Sequence, residues 1–148
     1  MIGSKKKQTG TVSAVHRYDA SSEQVFEAWI NPDSARHWLF ATDTGTMVRA
    51  ETDPRVGGAF TFTERRGAED VEHTGEYLQI DPPYRLIFTF CVPKYSKEKT
   101  RVAVAIVPRD NGCELTLTHE GVPPDYAQRT HEGWMKILSN LDKTLRKV

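Results

Sequence analysis

The feature that most constrains this chain is its order of hydrophobic periods. After one strand and two short helical stretches, six consecutive segments alternate with a period of two, and a single long amphipathic helix closes the sequence. Thr9 to Asp19 reads as the first strand. Met47–Asp53, Ala59–Arg66, Val71–Asp81 and Tyr84–Phe90 follow, then strands carrying Val102, Val104, Ile106 and Leu115, Leu117, His119. Pro54-Arg55-Val56-Gly57-Gly58, Pro82-Pro83 and Asp110-Asn111-Gly112 punctuate them, because proline cannot donate to a ladder and Asn-Gly favours tight turns. In the final segment, Asp125 to Lys147, a helical repeat puts Thr130, Trp134, Ile137, Leu138, Leu141 and Leu145 on one stripe. Such a helix, about 33 Å long, is long enough to cross a sheet.

Short connections make the strands an antiparallel meander, with the first strand joining its edge, and the apolar stripe of the helix requires a sheet face to lie on. The expected class is α+β: a curved antiparallel sheet of about seven strands wrapped around the C-terminal helix. Ser21 with Gln24 forms a capping box for the first short helix, whose apolar side carries Val25, Phe26, Trp29 and Ile30. Asn31-Pro32 starts the second, Pro32 to Trp38. On the last helix, Glu132 and Lys136 have the spacing of a favourable ion pair. A concave sheet gripping one helix leaves a gap between them, a natural ligand cavity.

Composition limits the partners. The 148 residues carry 20 Lys+Arg and 20 Asp+Glu, so there is no long-range field to draw in nucleic acid. No apolar run reaches the length of a membrane span, and the start lacks the apolar stretch of a signal peptide. Cys91 and Cys113 are too few for a disulfide framework. A cytoplasmic domain over residues 9–148, behind a disordered basic tail of residues 1–8, is the expectation. The five histidines include no HExxH arrangement, and phosphate-loop, dinucleotide and nucleophile-elbow motifs are missing, so neither a metal nor a cofactor is expected.

Parity along the strands nominates a site. Phe60 and Phe62 share a face with Glu64, Leu78 and Ile80 with Glu76, and Leu115 and Leu117 with His119. Three ionisable groups then point to the concave side, where each pairs internally, reaches water at the cavity mouth, or contacts a ligand. Trp38, Phe60, Phe62, Phe88, Phe90, Trp134 and Leu138 are the expected apolar lining, with Trp38-Leu39-Phe40 at the entrance. His131, about 60° from the centre of the helical stripe, edges the cavity and approaches His119 in this reading.

Ala20-Ser21-Ser22-Glu23-Gln24-Val25-Phe26-Glu27-Ala28-Trp29, Val56-Gly57-Gly58-Ala59-Phe60, the run from Gly75 through Pro82-Pro83 to Phe90, and Gly133-Trp134 together resemble the activator of heat shock protein 90 ATPase homologue-like family. That family belongs to the START/Bet-v-type superfamily of helix-grip domains. Tyr84 and Phe90 stand where its members more often have Glu and Trp. The resemblance implies a helix-grip fold and non-catalytic binding of a small hydrophobic molecule. The alternatives are a chaperone-associated, stress-related interaction module, and a cyclase- or hydratase-like acid–base enzyme using Glu76 and His119. A chaperone or a second copy of the chain is the possible macromolecular partner.

Overall fold

The computed structural model describes residues 10–146. The seven strands are β1 (Gly10–Tyr18), β2 (Thr46–Thr52), β3 (Ala59–Arg66), β4 (Glu69–Asp81), β5 (Arg85–Phe90), β6 (Thr100–Arg109) and β7 (Gly112–Val122). They form one antiparallel sheet in the order β1-β7-β6-β5-β4-β3-β2. Helices α1 (Ser22–Ile30) and α2 (Pro32–Ala35) follow β1, and α3 (Ala127–Arg146) ends the described chain behind a 3-10 turn, Pro124–Tyr126. This is the expected helix-grip architecture. The expected tail lies outside the described residues.

Local chemistry explains the joints. Ser21 caps α1 reciprocally with Gln24, as the capping box requires, and Asn31 closes α1 while its side chain caps α2. Helix α2 is shorter than its apolar residues suggest. Beyond Ala35 the chain runs through turns in which Trp38, Leu39 and Phe40 all remain buried. On α3 the stripe buries Trp134, Leu138 and Leu141 against the sheet, and the Tyr18 hydroxyl donates to the Leu138 carbonyl at 2.9 Å. Burial holds that phenol well above its ordinary pKa, so it stays a donor. Lys136 does not pair with Glu132. Its ammonium instead reaches Asp43, 2.9 Å away on the loop after α2, which ties α3 to that loop.

One irregularity reverses a face. A bulge between Tyr77 and Gln79 interrupts the pairing of β4 with β5. Ile80, beyond the bulge, packs against the core, but before it Val71, His73 and Tyr77 point inward. A strand's side chains alternate strictly only without an inserted residue. The parity taken from Ile80 therefore misplaces Glu76, which is exposed, and Leu78, which is 40% exposed.

Candidate functional site

The centre of the sheet is closed. Trp29, Leu39, Phe60, Phe62, Tyr77, Leu86 and Phe88 surround a void of only about 10 Å³. Trp29 and Trp38 meet edge to face at 4.8 Å, and Phe60 and Phe88 do so at 5.3 Å. Trp38, Phe60, Phe62, Phe88 and Leu138 are thus packed core rather than cavity wall, each at most 4% exposed. Bulk here fills the concavity.

The opening lies at one end, between α3 and the loop that follows α2. A cavity of about 440 Å³ is bordered by Phe40, Ala41, Thr42, Asp43, Arg66, His73, Phe90, Val92, His119, Thr130, Gly133, Trp134, Lys136 and Ile137. Its walls are rings. Phe40 stacks on His73 at 4.8 Å and on Phe90 at 5.0 Å, and Trp134 stands across from both phenylalanines. Phe40 reaches this position with φ of +61°, a left-handed backbone that a bulky side chain rarely adopts. Its buried contacts on several sides hold the strained conformer in place.

Glu64 is buried, beside this cavity rather than in its wall. One carboxylate oxygen takes the Arg66 Nε–H at 2.6 Å, and the other takes the Thr42 backbone N–H at 2.6 Å. The Thr42 hydroxyl also donates to the carboxylate at 3.1 Å, while accepting from the Gly45 N–H at 3.1 Å. A Cβ on Gly45 would overlap the Glu64 carboxylate, so any larger residue displaces that carboxylate from its partners. Of the alternatives open to Glu64, the internal pair is the one realised. It fixes Arg66 at the cavity wall and pins the loop over the opening.

His119 is likewise internally satisfied. The Trp134 indole N–H, which can only donate, points to His119 Nδ1 at 3.0 Å. The ring proton therefore sits on Nε2 and is donated to Thr100 Oγ1 at 2.7 Å, whose hydroxyl donates onward to the Phe90 carbonyl at 3.2 Å. Burial lowers the pKa of His119 to about 4, so the ring is neutral near pH 7. His131 takes no part. It is exposed, its Nδ1 lies 2.9 Å from the Ser13 carbonyl, and both His119 nitrogens are occupied elsewhere.

Of the residues nominated from sequence, Phe90, His119 and Trp134 border the cavity, and Glu64 supports it from behind. Glu76 and His131 do not. Strand parity missed His73 and Arg66, while of Trp38-Leu39-Phe40, expected at the entrance, only Phe40 borders the cavity. His73 shares inward parity with Tyr77, visible only once the bulge is known, and the hint for Phe40 is its place in an apolar run just past a helix end. Among the described residues no three His, Cys, Asp or Glu side chains converge as metal ligands, and no helix is long and apolar enough to cross a membrane.

A curved sheet closed on a terminal helix, with an opening at one end, defines a helix-grip domain of the START type. Residues 19–146 match the model of the family described as activator of Hsp90 ATPase homolog 1-like protein, and the chain belongs to that family. Solved structures repeat the fold. A Chromobacterium violaceum protein is 22% identical with a TM-score of 0.81, covering 90% of this chain and 95% of its own. An AHSA1-like protein from Aeromonas hydrophila is 21% identical at a TM-score of 0.81, over 93% of this chain and 92% of that one. A Rhodobacter sphaeroides protein is 20% identical at 0.81, over 95% and 99%. No curated protein sequence matches the chain.

Proposed function

We propose that this protein binds a small hydrophobic, ring-containing molecule in the cavity between α3 and the loop after α2, without transforming it. The observation that carries the reading is an aromatic-walled space of about 440 Å³, within the range that small-molecule sites occupy. Gly133 supports it: on the cavity-facing surface of α3 it contributes no side chain, and a Cβ there would meet nothing within 4 Å.

An acid–base enzyme fits these residues less well. Glu76 faces solvent, and His119 has both nitrogens engaged by neighbours that fix its tautomer. For a chaperone-facing module, the large exposed apolar residues are distributed over several elements. Val15, Val48, Val56, Leu78, Tyr84, Tyr95, Val107 and Tyr126 each sit on a different strand, turn or loop.

Gly133 also provides the test. Gly133→Leu fills the cavity from a helix position with room for the side chain. With the neutral fluorophore N-phenyl-1-naphthylamine as probe, the unmodified chain gives a saturable enhancement at one probe per chain. The Leu variant loses it while keeping its circular dichroism and Tm. Equal binding by both chains would remove the cavity as the site.

A further inference from the structure

Within the proposed site the ring of His73 has an unpartnered nitrogen. His73 Nδ1 lies 3.1 Å from the Phe62 carbonyl oxygen, which can only accept, so the ring proton is on Nδ1 and Nε2 holds a bare lone pair. The ring is 6% exposed and borders the cavity. The Val71 carbonyl is a second backbone acceptor near the ring. No protein group donates to Nε2 among the described residues, and Nε2 is not one of the sealed, unpartnered side-chain atoms, which are Ser22 Oγ, Trp29 Nε1 and Trp38 Nε1. Nε2 therefore keeps a small exposure, on a ring that borders the cavity. Phe40, stacked at 4.8 Å and within 5° of parallel, holds the ring in this orientation. His119, on the same cavity, contrasts with it because both its nitrogens are used.

Arg66 offers the complementary chemistry. Its Nε–H is committed to Glu64, and one terminal nitrogen makes only a long 3.5 Å contact with the Phe40 carbonyl, so guanidinium donors remain for a ligand. The cavity thus presents the unprotonated His73 acceptor and the Arg66 donors among aromatic walls, with the Asp43–Lys136 ion pair and the Thr130 hydroxyl elsewhere on its border. We propose that His73 Nε2 is the specificity-determining acceptor of this site and that its ligand is a neutral hydroxyarene, whose O–H donates to Nε2 and whose oxygen accepts from Arg66. This rests on the cavity being the ligand site.

The alternatives fail on the same atoms. A carboxylate has no proton to give at neutral pH and turns its lone pairs on that of Nε2. An alkylammonium can donate to Nε2 but meets the Arg66 charge. An unsubstituted arene leaves a buried acceptor without water or partner, which costs binding free energy. The Arg66 charge and, above all, burial keep His73 neutral, its pKa lowered to about 4.

Isothermal titration of the full chain at pH 7 with 4-hydroxybiphenyl, 4-methoxybiphenyl and biphenyl-4-carboxylate tests this. The methoxy compound keeps the oxygen acceptor and loses only the donor. The expected order is hydroxy tighter than methoxy by about tenfold, with the carboxylate weakest. In His73→Phe, which keeps an aromatic ring to stack on Phe40, the hydroxy preference disappears and methoxy binding persists. The series on the unmodified chain is decisive even where that variant does not fold. Hydroxy and methoxy compounds bound equally well would overturn the donor–acceptor assignment and leave the cavity standing. Binding of none of the three would remove both.

Discussion

Two ends of one aromatic layer, built from the same residue types, come to opposite results. Around Trp29, Phe60 and Phe88 the rings close to a void of about 10 Å³, whereas around Phe40, Phe90 and Trp134 they leave about 440 Å³. The closed end is built from apolar bulk with no buried charge or imidazole in its lining, and even the Trp29 and Trp38 indole N–H groups are left unpartnered among the described residues. Its rings settle into edge-to-face contacts. The open end interleaves its rings with two buried imidazoles and a buried carboxylate, each needing directional partners. Those partners hold the loop after α2 and helix α3 at fixed positions, and Gly133 puts no side chain between them. What sets the open end apart is polar anchoring and a missing side chain on its border, not aromatic content.

Acid provides the largest expected effect and separates the two ends. His73 and His119, both at the open end, have pKa values lowered by burial to about 4, below the roughly 6.5 of an unfolded histidine. As pH falls, the unfolded chain takes up these protons first. The stability contributed by the neutral rings is full above about pH 6.5, declines between about 6.5 and 4, and levels off below that. The slope is about 1.4 kcal/mol per pH unit for each histidine, or about 3 kcal/mol each over the interval. Urea unfolding at successive pH values measures it. The Trp134 indole N–H resonance, bonded to His119, moves within this range before the resonances of Trp29 and Trp38 do. Simultaneous movement of all three would break the distinction.

Truncation ranks the ends next. Phe88→Ala, at 2% exposure in the closed core, costs about 3–5 kcal/mol by chemical denaturation. Phe90→Ala, partly buried on the cavity wall, costs about half of that, because part of the vacated space is already open. Comparable losses would mean that the open end is as tightly packed as the closed one. Glu64→Ala follows at about 2 kcal/mol, since it leaves the Thr42 N–H and the Arg66 Nε–H without their acceptor. Faster amide hydrogen exchange at Thr42 and Gly45 reports the released loop, and Gly45→Ala, which pushes the carboxylate away, reproduces it.

The fold was legible because it rests on periods. Two-residue alternation in β3, β6 and β7 and the stripe on α3 each state which face is buried, while in central β5 Ile87 is buried along with Leu86 and Phe88. The site was legible only where those periods run unbroken. Phe90, His119 and Trp134 lie on regular stretches and reach the cavity. Glu76 was misplaced and His73 missed for one reason: a bulge near Leu78 changes the inward parity of β4, and nothing in Glu76-Tyr77-Leu78-Gln79 marks an inserted residue. Phe40 is set by a left-handed backbone in a turn, where periodicity has no meaning. The Asp43–Lys136 bridge, which displaces the local Glu132–Lys136 pair, joins residues far apart in sequence and needs the closed fold to exist.

The smallest predicted effect tests why the open end stays open. Glycine inside a helix is about 1 kcal/mol less favourable than alanine, and at Gly133 a Cβ would meet no neighbour within 4 Å. Gly133→Ala is therefore expected to raise stability by about 0.5–1 kcal/mol while placing one methyl at the cavity wall. If the empty position serves binding, the same variant weakens N-phenyl-1-naphthylamine by a few-fold, midway to the loss in Gly133→Leu. Stability gained at the expense of binding is the pattern expected where a site is kept open against the fold's own preference. A variant that gains stability and binds the probe unchanged would show that Gly133 is merely tolerated, leaving the anchored loop after α2 as the sole source of the cavity.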